Sequence, residues 1–274
     1  MELTPHTRPA AVAGMFYPGS ANVLARDLRQ MLADRAAPAA TPGRRVKAII
    51  APHAGYVYSG PIAASVYAPL AELAADIRRV VVLGPTHRVA VNGLALPAAG
   101  AFATPLGVVA VDQQAVAAIA HLPQVVVSDA AHAAEHSLEV QLPFLQTVLG
   151  DFALLPLAVG RASPAEVAEV LECLWGGDET LIVISSDLSH YLPYQTARAT
   201  DGETARHIVA LDAHLDHQQA CGATPVNGLL LAARRHGLRA QLIDLRNSGD
   251  TAGDRSRVVG YGAFSFSEEA ASVR

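Results

Sequence analysis

The sequence predicts an α/β fold, a central mixed β-sheet flanked by helices, on three observations. Short β-branched apolar runs alternate along the chain with amphipathic segments of helical period. The apolar runs are continuous, as in strands covered on both faces. One segment, "GLALPAAGAFATPLGVVAVD" (93–112), has no helical period and is broken by Gly and Pro, so it reads as a β excursion that makes the sheet mixed.

The elements follow in order. A helix over 21–34 leads to a strand over 46–51, where Val46, Ala48, Ile49 and Ile50 form an apolar run. Between them "RAAPAATPGRR" (35–45) is rich in Pro and Ala and is expected to be a flexible loop. Next come a helix over 60–75, strands over 79–84, 93–97 and 107–111, a helix over 112–121 and a strand over 124–127. The period of Leu138, Leu142 and Leu145 predicts a helix over 136–149, followed by a strand over 152–158. The helix over 163–175 has a clear start: Ser163 at the N-cap, Pro164 in the first turn and Glu166 near the positive helix end. The remainder reads as a strand over 180–185, helices over 196–213 and 225–236, and strands over 239–245 and 257–266. Neither a fixed-period repeat nor a composition shift divides the chain, so one domain over 1–274 is expected.

Composition narrows the function classes. With 51% hydrophobic and 16% charged residues over 274 positions, the chain is globular in kind and able to bury a large core. A net charge of -5 gives no basic face, which argues against a nucleic-acid partner. Two cysteines, Cys173 and Cys221, are too few for a disulfide framework and suit a reducing compartment. Cys173, in "VLECLW", is expected to be a small buried hydrophobe. The first twenty residues lack a basic region followed by an apolar one, and no apolar run approaches the ~20 residues that span a bilayer. A cytoplasmic protein without a membrane partner is the expectation.

Ligand-type residues gather where strands end, the place where open α/β sheets build their sites. His53 follows the strand over 46–51, and His87 follows that over 79–84. Asp187 and His190 follow the strand over 180–185, and Cys221 precedes an apolar helix. These residue types bind metals, although no local metal motif is met. Each also has a plain structural reading. His53 and His87 read equally as histidines bonded to backbone carbonyls, Asp187 as a cap, His190 as part of an aromatic cluster with Tyr191, and Cys221 as a core residue. Glu135, His136 and Glu139 open the helix over 136–149, either as acids at its positive end or as a cluster facing a substrate. Gly55 is expected to let the chain turn and a ligand approach, with Tyr56 and Tyr58 lining a wall or packing. A Cys221 nucleophile with His190 as its base is a further reading, but it leaves His53 and His87 without a task.

Several longer motifs go together: "AVAGMFYP", "APHAGYVYSG", "LGPTHR", "EHSLEVQLPFL", "SSDLSHY", "CGATPVNGLL" and "NSGDTAGDRSRVVGYGAF". In this order, from about residue 11 to 266, they resemble the MEMO family, whose bacterial members are also called AmmeMemoRadiSam system protein B. The family is similar in fold to class III extradiol dioxygenases. The resemblance implies a metal held by His53, His87 and Cys221, with His190, Asp187 and His136 as catalytic residues. Tyr56, Glu135 and Glu139 are then expected to contact the substrate. A cysteine stands where the dioxygenases have a carboxylate, and thiolate makes the site softer. Iron is the first choice of metal, then copper, with zinc third. The implied function is a metal-dependent oxidoreductase acting on an unknown small molecule. The other class implied is a non-catalytic metal-handling or peptide-recognition module, working with radical SAM and AMMECR1-like proteins.

Overall fold

The computed structural model describes residues 4–35 and 45–268. The loop expected at 35–45 lies outside them, apart from its two end residues. The chain begins with β1 (Thr4–Arg8), α1 (Ala21–Ala33), β2 (Val46–Ala51) and α2 (Tyr56–Tyr67), the last extended by a 3-10 turn. Then come β3 (Arg79–Pro85), β4 (Leu94–Leu96), β5 (Ala99–Thr104), β6 (Gly107–Ala110), α3 (Gln113–Ile119), β7 (Val125–Val127) and α4 (Asp129–Ala133). A 3-10 turn at Glu139–Gln141 leads into α5 (Leu142–Leu149), β8 (Ala153–Val159), α6 (Pro164–Leu174) and β9 (Thr180–Ser185). The last elements are β10 (His190–Leu192), α7 (Tyr194–Val209), α8 (Ala223–Arg235), β11 (Arg239–Asn247) and β12 (Val258–Ser267).

The larger sheet runs β10-β12-β2-β9-β3-β8-β4-β7, with β11 also paired to β12. Its middle strands β2, β9, β3 and β8 are parallel, so Ala51, Ser185 and Pro85 all end at one edge. β12 joins β2 antiparallel, and β4 joins β8 antiparallel, which makes the sheet mixed as the sequence predicts. A small second sheet orders β1-β5-β6. Ala48–Ala51, Val80–Leu83 and Leu181–Ile184 are buried at every position. Neighbouring side chains on a strand point to opposite faces, so both faces of this block are covered. α2 covers β2, β11 and β12 and gathers α1 and α5, while α6 packs on α8, which covers β3 and β9.

Two local departures from the sequence reading bear on the site. The helix expected over 136–149 starts as an α-helix only at Leu142, and Pro143 occupies its first turn. Residues 136–138 are irregular because the Glu135 carboxylate collects the N–H groups of His136 and Ser137. The helix expected from residue 60 starts at Tyr56, capped by Gly55 at an ordinary φ of -56°. The chain turns into the helix there without a left-handed backbone. Cys173 is also corrected: it is exposed. α6 buries Val167, Val170, Leu171 and Leu174, and position 173 falls on the opposite side of the helix. Ser163 caps α6 as expected, its hydroxyl accepting from Glu166 N at 3.2 Å. No helix among the described residues is long and apolar enough to cross a membrane.

Candidate metal centre

The shared edge of the parallel block carries the site. His53 lies two residues beyond β2, His87 two beyond β3, and the 186–190 segment leads out of β9. One ring nitrogen from each of His53, His87 and His136 lies within 4.8 Å of those of the other two. The His87 and His136 rings stack at 4.6 Å, and both meet the His53 ring edge-on, at 5.2 and 5.4 Å. Bringing His136 there requires a close approach between two segments. A Cβ on Gly84 would stand 2.7 Å from Ser137 Oγ, so only glycine lets the 136–138 turn lie against the end of β3.

Hydrogen bonds set which nitrogen of each ring faces inward. Ser185 Oγ has one proton and donates it to the Ser137 carbonyl at 2.6 Å. It therefore accepts from His53 Nδ1 at 2.8 Å, and from Gln141 Nε2 as well. With Nδ1 protonated, His53 Nε2 presents a lone pair. His53 is 2% exposed, and burial, followed by the charges of His87 and His136, drives its pKa well below the usual imidazole range. His87 Nδ1 lies 2.8 Å from Glu135 Oε1, and its backbone N–H donates to Oε2 at 2.6 Å. Burial works against ionisation of Glu135, but the hydrogen bonds from His87 and Ser137 prevail and hold its carboxyl down to about 2. An ionised carboxylate can only accept, so His87 Nδ1 carries the proton and Nε2 is free. A carboxylate behind a histidine is the usual support of a metal ligand.

His136 is held differently. Its Nδ1 is buried and hydrogen-bonded to nothing, although Glu135 Oε1 is 3.4 Å away. Burial, then the charge of His87, lowers its pKa to about 4, so the ring is neutral. Three imidazoles that bring ring nitrogens within 4.8 Å of one another form a donor set that fits iron, copper or zinc.

Cys221 adjoins the cluster. Its Sγ is 3.3 Å from His53 Nε2 and accepts the Asp187 N–H at 3.3 Å. Burial, then the Asp187 charge, pushes the thiol up to about 12, so it keeps its proton, with the His53 ring nitrogen and the Asp187 carbonyl (3.6 Å) both within reach as acceptors. The thiol reaches this place because Gly222 lies on Ser186: a Cβ there would be 2.8 Å from Ser186 Oγ. Asp187 accepts the His53 backbone N–H at 2.8 Å, and burial raises its carboxyl to about 6. His190 stands outside the group of three rings. Its Nδ1 donates to the Leu188 carbonyl at 2.8 Å, leaving Nε2 free. Tyr191, directly after it, takes a φ of 59°, rare for an aromatic residue and a sign of local constraint.

The three residues expected at the substrate fare differently. Glu135 lies behind His87 and orients it. Tyr56 turns inward: its hydroxyl donates to the Val140 carbonyl at 2.8 Å, and its ring packs on Tyr17 and Phe144. Glu139 is fully buried, with both oxygens occupied by Arg8, Tyr17 and the backbone of Ala11 and Val12. The polar groups of Tyr56 and Glu139 are thus engaged within the protein itself. Residue-level reasoning passed over Ser185, Gln141 and Phe16. Only the "SSDLSHY", "EHSLEVQLPFL" and "AVAGMFYP" motifs pointed to them.

Fold and site together define an α/β protein with a histidine cluster of metal-ligand type at the carboxyl edge of its parallel strands. A family model described as Memo-like protein matches residues 8–265. A MEMO1 family protein of Ignicoccus hospitalis is 37% identical, covering 94% of this chain and 98% of that one. A MEMO1 family protein of Methanopyrus kandleri is 34% identical over the same shares of the two chains. An uncharacterized protein of Escherichia coli K12 of solved structure aligns with a TM-score of 0.49 and 16% identity, over 79% of this chain and 99% of that one. The chain belongs to the Memo family.

Proposed function

We propose that this protein holds one metal ion on His53, His87 and His136 and uses it as an oxidoreductase acting on a small molecule. The observation that carries this reading is the convergence of three imidazole nitrogens within 4.8 Å of one another, two of them with lone pairs set inward by Ser185 and Glu135. Iron is the first choice, followed by copper and then zinc, since imidazole suits all three. Bound iron or copper would supply Lewis-acid and one-electron chemistry, and zinc Lewis-acid chemistry alone.

The chain's own groups do the rest. The His87 side chain keeps 29% of its exposure and marks the way in from solvent. His190, with Nδ1 held by Leu188, takes up or returns a proton at Nε2. Asp187 fixes the His53 backbone.

A second reading, with Cys221 in place of His136, is favoured by the 3.3 Å approach of its Sγ to His53 Nε2. Metal analysis of protein purified without a tag separates the two. His53→Ala is expected to empty the site. Under the three-histidine reading His136→Ala loses metal and Cys221→Ala keeps it; under the second reading the order reverses. Equal metal content in all variants and the wild type would sink the site.

A further inference from the structure

We propose that Phe16 and Glu139 are positioning residues of this centre: Glu139 clamps the 8–17 segment so that the Phe16 ring holds His136 in its ligand orientation. The inference rests on the reading of the histidine cluster as a metal site.

The case begins with what fixes each ring. His53 is held by Ser185 and His87 by Glu135, each through a hydrogen bond to Nδ1. His136 Nδ1 has no such bond. An imidazole free of hydrogen bonds turns about its side-chain torsions unless packing stops it. Two rings pack on it: His87 stacks on His136 at 4.6 Å and 28°, and Phe16 approaches it at 4.6 Å and 43°. Since His87 is itself a ligand, Phe16 is the wall.

Phe16 comes from the N-terminal segment, far from His136 in sequence. Its N–H donates to the Val12 carbonyl at 2.9 Å, and its carbonyl accepts the Tyr56 N–H at 2.7 Å. That segment is fastened by one buried carboxylate. Glu139 accepts the N–H groups of Ala11 (2.8 Å) and Val12 (3.0 Å), the Tyr17 hydroxyl and the Arg8 guanidinium. All four donors lie in residues 8–17 and none in the site. The ion pair is sealed, with Arg8 at 5% and Glu139 at 0% exposure. Arg8 also donates to the carbonyls of His132 (2.9 Å) and Glu135 (2.7 Å), and so holds the turn that presents Glu135 to His87. A buried carboxylate whose bonds all reach one ten-residue segment fastens that segment in one place. The Phe16 ring then serves His136 as Ser185 serves His53.

The test is a cobalt(II) titration of the apo full-length chain, followed by visible absorption, in wild type, Phe16→Ala, Phe16→Trp and Glu139→Gln. An aromatic contact of this kind converts to about a tenfold change in binding. Phe16→Ala is expected to weaken cobalt binding by about that factor and to alter the ligand-field bands, with the apo unfolding temperature little changed, since Phe16 is only half-buried. Phe16→Trp, which restores a ring face, should recover affinity and spectrum. Glu139→Gln should lose at least as much affinity as Phe16→Ala. Wild-type affinity and spectrum in Phe16→Ala would overturn the role of Phe16, and the same result in folded Glu139→Gln would overturn the clamp. A second readout is the side-chain nitrogen NMR spectrum of His136 in the apo protein. One sharp ring state in wild type and an exchanging one in Phe16→Ala supports the proposal; identical rings overturn it. If wild type binds no cobalt, the metal reading falls, and the NMR comparison decides the positioning role on its own.

Discussion

The chemistry of single residues here follows from counting protons. Ser185 has one to give and gives it to a carbonyl, so His53 must donate at Nδ1 and expose Nε2. His132 shows what the plain structural reading of a histidine looks like: buried, its Nε2 bonded to the Ala95 carbonyl and its pKa lowered by burial to about 4. In sequence the residue type alone does not separate His132 from His136; only the "EHSLEVQLPFL" motif singles out the second. Their difference lies in what surrounds them.

Asp201 gives a residue-level prediction outside the cluster. It lies on α7, accepts the Ser189 N–H at 3.0 Å, and its carboxyl is raised by burial from 3.8 to about 6. The folded chain thus holds this proton more tightly than the unfolded one. The stabilisation is full below the unfolded value and is lost as pH rises through about 6, on the order of 3 kcal/mol in total. Asp201→Asn should therefore be more stable than wild type at pH 7, and the gap should close toward pH 4. Urea unfolding of both proteins across this range checks the sign.

At the scale of elements, the ends matter more than the middles. The strands β2, β3, β8 and β9 are legible as apolar runs because burial on both faces permits nothing else. The Ser163 start of α6 is legible because a capping box is local chemistry. The start of α5 is not, since the 136–138 turn is drawn out of the helix by Glu135, whose role depends on β3 ending beside it. Likewise β10 is three residues long, and its pairing with β12 is non-local. Gly84 tests the contact between β3 and this turn. A methyl group there would stand 2.7 Å from Ser137 Oγ and 3.1 Å from Leu138 Cδ2. Gly84→Ala is expected to cost about 1–3 kcal/mol in thermal or denaturant unfolding. It should also displace His136, and so lower metal affinity beyond the effect on stability.

For the whole molecule, the site is a meeting of distant segments. The clustered ring nitrogens come from residues 53, 87 and 136, the neighbouring thiol from 221 and the Arg8–Glu139 ion pair from the N-terminal segment and the 136–141 turn. A ligand that binds only this assembled state stabilises the fold through mass action. Metal at one hundred times its dissociation constant should add about 2.7 kcal/mol to unfolding. A scanning calorimeter should show the midpoint rising with added metal in wild type and standing still in His53→Ala.

The sequence by itself determined the α/β class, the buried strands and the family motifs, because apolar periodicity and local capping are written along the chain. It also placed His53, His87, Asp187 and His190 after strands and Cys221 before a helix. Only the tertiary structure decided that His136 joins His53 and His87, that Glu135 stands behind His87, and that the polar groups of Tyr56 and Glu139 are engaged within the protein itself. These roles depend on distances between segments far apart in sequence, and those distances are set by how the parallel strands bring their ends to one edge.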